Sequence, residues 1–228
     1  MERLRKEEAA KAVAAVEEAE TAGVQEGLRL LLGNSTNAST PGIVAEADVE
    51  TPAGIVKMAA MSLETLEASG GVATVPASED TGASLRVSSE NLQQATAVAE
   101  AAGLTTEGPI VMTIMGLSEE ASSKLATDNV LAARRLASSL KSKAISVNFW
   151  TSDGMRIPLS GLDPPLTIVV QVGDPNATCA FWDEEGAKWS NTGVRTLPGQ
   201  EPNTITCSTT HLTLFGGVVD VLLKLRRS

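Results

Sequence analysis

His211 is the only histidine in this chain of 228 residues, and it stands two positions before Thr213 in the run Cys207-Ser208-Thr209-Thr210-His211-Leu212-Thr213-Leu214-Phe215-Gly216. A neutral imidazole accepts a proton near neutral pH, and a threonine hydroxyl becomes a useful nucleophile when an adjacent base takes its proton. Side chains alternate between the faces of an extended segment. An extended run would therefore put His211 and Thr213 on one side, with Leu212 and Leu214 on the other. The peptide bond between Leu212 and Thr213 would then lie within reach of Thr213's own Oγ. The chemistry this points to is attack of a side chain on its own backbone. The tripeptide also has a plain reading, because a lone histidine beside an apolar run is most often a surface residue or a satisfied core residue.

The surroundings separate these readings. Upstream stand Cys179-Ala180-Phe181-Trp182-Asp183, then Trp189-Ser190-Asn191-Thr192-Gly193, then Cys207. With His211-Leu212-Thr213-x-Phe215-Gly216, this order resembles the proteolysis-site (GPS) motif that closes a GAIN domain, the self-cleaving extracellular module of adhesion receptors and polycystin-type proteins. The resemblance is specific over residues 179–217. Adhesion-receptor versions carry four cysteines, whereas this chain has two. The positions of the other pair hold Val194 and Thr209, and this two-cysteine pattern places the motif nearer the polycystin branch.

The resemblance implies roles residue by residue. His211 is the base, Thr213 the nucleophile and Leu212 the owner of the attacked carbonyl. Trp182, Trp189, Phe215 and Gly216 form the motif core, and Cys179 pairs with Cys207. The implied reaction is an N-to-O acyl shift followed by ester hydrolysis, one cut per molecule, with the fragment from Thr213 onward held non-covalently. The other reading it leaves is the same fold as a non-cleaving structural or adhesion module. Either would sit on the extracellular side of a membrane, at the cell surface or on a cilium. The chain would then be an excised piece of a longer protein with a membrane-spanning region.

Composition limits the partners. A net charge of -10 argues against nucleic acid. No apolar run approaches the roughly 20 residues of a membrane span, and Met1-Glu2-Arg3-Leu4-Arg5-Lys6 lacks a signal-peptide core. A cysteine pair alone leaves a disulfide and two reduced core thiols equally open. A Cys179–Cys207 bridge, closing about 28 residues, would contribute about 3.5 kcal/mol in the chain-entropy picture. Asn34, Asn37 and Asn176 each begin an Asn-x-Ser/Thr glycosylation sequon. No acidic pair is spaced for acid–base work, no residue set is spaced to hold a metal, and no cofactor is expected.

The elements that must position the motif follow from periodicity. Leu4, Val13, Val16, Val24, Leu28 and Leu31 give residues 2–32 a helical apolar stripe, divided at Gly23. Residues 1–33 form a helical subdomain (GAIN A-like by the resemblance) and 34–42 a polar linker. Residues 43–228 form a strand-rich subdomain (GAIN B-like). Short alternating segments at 43–49, 54–61, 71–75, 84–88, 109–115, 144–149 and 166–172 read as strands. Residues 89–102 and 128–140 read as inserted helices, the second capped by Asp128. Ser152-Asp153-Gly154 is a hairpin-type turn. The fold class is α+β, a small helical subdomain followed by a predominantly antiparallel β-sandwich with inserted helices. The three tryptophans and three phenylalanines all lie between 149 and 215, so the stiffest packing is expected around His211-Leu212-Thr213. Gly216-Gly217 is expected to loosen the strand that follows.

Overall fold

A computed structural model of the chain describes residues 2–33, 40–76, 83–125, 138–199 and 201–220. It begins with one long helix, α1 (Glu2–Gly33), followed by the hairpin β1 (Ala45–Thr51) and β2 (Gly54–Met61). The short helix α2 (Leu63–Ala68) leads into the hairpin β3 (Val72–Pro76) and β4 (Ser84–Ser88), then α3 (Ser89–Ala101). Next come β5 (Ile110–Leu117), α4 (Glu119–Leu125), β6 (Ser138–Leu140), β7 (Ile145–Trp150) and β8 (Leu166–Gln171). The chain finishes with β9 (Thr178–Asp183), β10 (Lys188–Ser190), β11 (Val194–Pro198), β12 (Thr204–Thr209) and β13 (Leu214–Asp220).

The strands form two antiparallel sheets. One runs β1-β2-β5-β7-β13-β9-β10 with β6 also on β13, and the other runs β11-β12-β8-β4-β3. The larger sheet is covered on both sides, so β5 and β7 are buried along their whole length. Its inner face meets the smaller sheet through Met112, Val147, Phe149, Ile168, Val170 and Phe215. Its outer face carries Val56, Met115, Trp150, Trp182 and Trp189 against Ala9, Val13, Val16 and Val24 of α1. This is the α+β sandwich that the periodicity predicts.

Several expectations change in detail. The first helix is uninterrupted at Gly23. A Cβ there would stand 3.0 Å from the methyls of Thr51 and Val56, so Gly23 allows the helix to approach β1 and β2 closely rather than breaking it. Leu4 lies off the buried stripe at 64% exposure, while Glu20 lies on it at 2%. Of the helix expected over 128–140, residues 128–137 fall outside the described residues, and Ser138–Leu140 is the strand β6. Its register, Leu140 opposite Val218 and Ser139 opposite Val219, shows a tertiary ladder overriding local helix propensity. The helices α2 and α4 have too few residues to show a period, and both follow capping serines: Ser62 accepts from the Thr65 amide and Ser118 from that of Ala121.

Candidate functional site

The site is built where β9 and β12 come together from opposite sheets. Cys179 on β9 and Cys207 on β12 form a disulfide with Cα atoms 5.5 Å apart, and both are fully buried. The bridge staples the two layers of the sandwich. Thr196, opposite Cys207 on β11, accepts the Cys179 amide at 2.8 Å and ties a third strand to the junction. Val194 and Thr209, the positions of the absent second cysteine pair, stand directly opposite each other across β11 and β12.

The segment after Thr209 does not continue the strand. β12 ends at Thr209, His211 makes a single antiparallel bridge to Ser160, and Thr213 sits in a bend before β13 begins. The reason is local hydrogen bonding that replaces the ladder. The Thr209 hydroxyl donates to the His211 carbonyl at 3.0 Å and accepts the His211 amide at 3.3 Å. Leu162 donates its amide to the Thr210 carbonyl at 2.9 Å. The 160–164 strap is itself held by α3, where Asn91 donates to the Pro164 carbonyl at 2.6 Å and Gln94 bonds the Asp163 backbone in both directions. The capping box of Ser88 and Asn91 that starts α3 thus anchors, at one remove, the main chain of His211.

The imidazole of His211 is half-buried, edge-on to Phe181 with centroids 4.6 Å apart and tilted against Phe215 at 6.1 Å. Burial disfavours the charged form and holds its pKa below the ordinary 6.5. Its Nδ1 lies 3.4 Å from the Thr209 hydroxyl. A hydroxyl has one hydrogen, and that of Thr209 goes to the shorter contact with the His211 carbonyl, so Oγ1 is left to accept. That assigns the imidazole hydrogen to Nδ1 and leaves Nε2 as the bare acceptor. Nε2 is buried with no hydrogen-bond partner among the described residues. A neutral ring with an unoccupied lone pair is the form a general base needs.

Thr213 is placed by weaker contacts. Its hydroxyl donates to the Trp182 carbonyl at 3.4 Å, and its carbonyl accepts from the Val147 amide, also at 3.4 Å. Both are long enough to yield readily. Leu212, between the two functional groups, packs against the inner core. The structure brings His211, Leu212 and Thr213 together with Phe181, Trp182 and Phe215 at one end of β9 and β13, while the disulfide lies further along, with Cys179 opposite Gly217, and no hydrogen bond links His211 to Thr213 among the described residues.

The motif core sorts onto two faces. Trp182 and Trp189 are cross-strand partners, edge to face at 5.5 Å on the outer side, and the Trp189 indole donates to the Leu125 carbonyl at 3.1 Å. Phe215 opposes Phe181 on the inner side. The glycines tighten β13 rather than loosen it. A Cβ on Gly216 would stand 2.6 Å from Leu140 Cδ1, and one on Gly217 would stand 2.5 Å from Val172 Cγ1. The strand bonds to β6, β7 and β9. Asn176 lies exposed in a turn where the Asp174 carboxylate accepts its amide and its side chain, each at 3.0 Å. Asn34 and Asn37 fall outside the described residues.

Beside Thr213, under α1, lies a polar group that sequence reading missed. Glu20 accepts from Thr113 at 2.6 Å, from Ser146 at 2.7 Å and from the Asn148 amide at 2.9 and 3.0 Å. Ser146 is the residue opposite Leu214 in the β7–β13 ladder, so the network reaches the first residue of β13. Its signal in the sequence is the spacing of Val13, Val16, Glu20 and Val24, which puts a carboxylate on the apolar stripe.

The family described as GPS: GAIN subdomain B matches residues 51–221, and the chain belongs to that family. Among solved structures it is similar to the full extracellular region of zebrafish Gpr126/Adgrg6, at 15% identity and a TM-score of 0.46, covering 73% of this chain and 23% of that one. The chain therefore spans less than a quarter of that region. No curated protein matches it.

Proposed function

We propose that this GAIN domain cuts its own backbone between Leu212 and Thr213 and keeps both pieces. His211 Nε2 takes the proton of the Thr213 hydroxyl, and Oγ attacks the Leu212 carbonyl carbon. The C–N bond breaks as the imidazolium returns its proton to the departing nitrogen, leaving an ester between Leu212 and Thr213 Oγ. Water then hydrolyses the ester to a Leu212 carboxylate and a free Thr213 hydroxyl. Oriented groups within one chain reach effective molarities of about 10⁵ to 10⁸ M, which makes a weak nucleophile sufficient. The observation that carries this reading is the unpartnered Nε2 of a histidine kept neutral by burial. Retention of the fragment from Thr213 onward is supported by the ladders from β13 to three neighbours, none of which the cut would sever.

Family membership supports the rest of the proposal. The domain stands on the extracellular side of a membrane, on a longer polycystin-like chain with a membrane-spanning region, and the two-cysteine pattern supports that branch. Residues 1–33 are the counterpart of the family's helical first subdomain, 34–42 the linker and 43–228 the second subdomain. The start of the family match at residue 51 supports that division. The non-cleaving module is favoured by one observation, the absence of a His211–Thr213 hydrogen bond among the described residues. The two readings part on the mass of the purified chain in denaturant. Self-cleavage gives two masses split at Leu212–Thr213, and His211→Ala and Thr213→Ala each give one. A single uncut mass for the unsubstituted chain would leave the structural module.

A further inference from the structure

A small, partly open cavity of about 20 Å³ lies between α1 and the His211-Leu212-Thr213 segment, lined by Val13, Val16, Ser146, Asn148, Thr213 and Leu214. The exposed ion pair of Glu17 with Arg156, at 2.9 Å, also lines it. That volume holds one water, since roughly 10 to 15 Å³ suffices. A buried water also needs polar partners, and Asn148 and Thr213 of its lining carry two that could serve. Asn148 is 3% exposed, and the carboxylate of Glu20 can only accept, so the amide turns its nitrogen toward Glu20 and Ser146. Its Oδ1 is buried and has no partner among the described residues. Thr213 Oγ1, whose hydrogen goes to the Trp182 carbonyl, keeps its lone pairs open.

We propose that this cavity holds a single ordered water, donating to Asn148 Oδ1 and Thr213 Oγ1, and that this is the water that hydrolyses the ester. The second half of the statement rests on the self-cleavage reading. Leu212 packs, half-buried, against the inner core, and the cavity on the other side supplies a reactant already in place. The Thr213 amine freed by the acyl shift accepts one proton of the water as its oxygen bonds to the Leu212 carbonyl carbon. The C–Oγ bond then breaks, and Oγ takes the second proton. The products are a Leu212 carboxylate, a Thr213 ammonium and the restored hydroxyl, so atoms and charge balance. Asn148 is a positioning residue in this scheme, and Glu20 fixes its orientation.

Two measurements test it. In the His211→Ala chain, whose substitution lies outside the cavity, nuclear Overhauser contacts between the Asn148 side-chain amide and a long-lived water are expected. Their absence would overturn the proposal whether or not the unsubstituted chain cuts itself. Val16→Leu pushes an added methylene into the cavity, and Asn148→Ala removes the acceptor. In whichever of these retains the native circular dichroism, hydrolysis should slow on the order of 100-fold, as expected when a reactant loses its placement. The unsplit chain should then part at Leu212–Thr213 on hydroxylamine treatment, which cleaves esters and leaves amides. Wild-type splitting rates in both variants, or unsplit chains that resist hydroxylamine, would overturn the hydrolytic role. An unsubstituted chain that stays whole and resists hydroxylamine would instead refute the self-cleavage reading, and the water contact would still decide the cavity's content.

Discussion

The two faces of the eight-stranded sheet are built from different materials. On the inner face Phe149, Phe181 and Phe215 pack with aliphatic side chains and a disulfide against the second sheet. On the outer face Trp150, Trp182 and Trp189 pack beneath α1, around a carboxylate satisfied by Thr113, Ser146 and Asn148. The His211-Leu212-Thr213 segment lies between these environments, with His211 among the phenylalanines and Thr213 beside the Asn148 cavity. Hydrocarbon on one side holds β13 in place and keeps the imidazole neutral. Polar groups on the other side can orient a reactant. A site for a single intramolecular reaction needs both, because a strand must survive the loss of its own backbone bond.

The comparison predicts a graded series of effects. The largest should come from the inner face: replacing Cys179 and Cys207 together with alanine is expected to cost about 3.5 kcal/mol in denaturant unfolding, because the bridge closes a long loop. A loss under about 1 kcal/mol would mean that packing alone holds the layers. On the outer face, Glu20→Ala should cost about 3 kcal/mol by the same measurement, since it strands several buried donors. Glu20→Leu, which fills the space without accepting, should recover little of that. If it restored wild-type stability, the polar network would be irrelevant to folding.

Gly216→Ala should be milder. Its added methyl meets the end of the Leu140 side chain at 2.6 Å and Trp189 at 3.4 Å, an overpacking worth about 1 to 2 kcal/mol. The readout is faster loss of the C-terminal fragment from the cut complex at moderate denaturant. Unchanged release would show that β13 is not held by close packing. The smallest effect concerns pH. His211 acts when neutral, its pKa lies below 6.5 because burial disfavours the ion, and a group is neutral above its pKa. The cleavage rate should therefore sit on its plateau near pH 8, reach half of that plateau only below pH 6.5, and fall about tenfold per unit well below the folded pKa. A decline already centred above 6.5 would contradict a desolvated base.

Much of this was readable from residue order. Alternation in residues 144–149 and 166–172 reports strands buried against a second layer, and the order Cys, Trp, Trp, Cys, His-Leu-Thr points to the family whose model matches residues 51–221. Other features depend on contacts that no local pattern reports. The bend at 210–213 exists because Thr209 bonds the His211 backbone, and a threonine in an alternating run carries no mark of that. Residues 138–140 have an unremarkable helical composition and become a strand through Val218 and Val219. Gly216 and Gly217 suggest looseness when read alone, and close packing when Leu140 and Val172 are seen beside them. Glu20 was legible in principle, as a charge at an apolar position, but its partners lie on β5 and β7, far away in the chain.

Self-cleavage with retention makes a chain that is cut and still whole. The Cys179–Cys207 bridge lies entirely before the scissile bond, so it cannot tie the fragments together once the fold is lost. Mass measured on one sample under native and then denaturing conditions tests this directly. Self-cleavage predicts a native mass equal to the full chain plus one water, resolving in denaturant into fragments ending at Leu212 and beginning at Thr213. The same unhydrated mass under both conditions would contradict it.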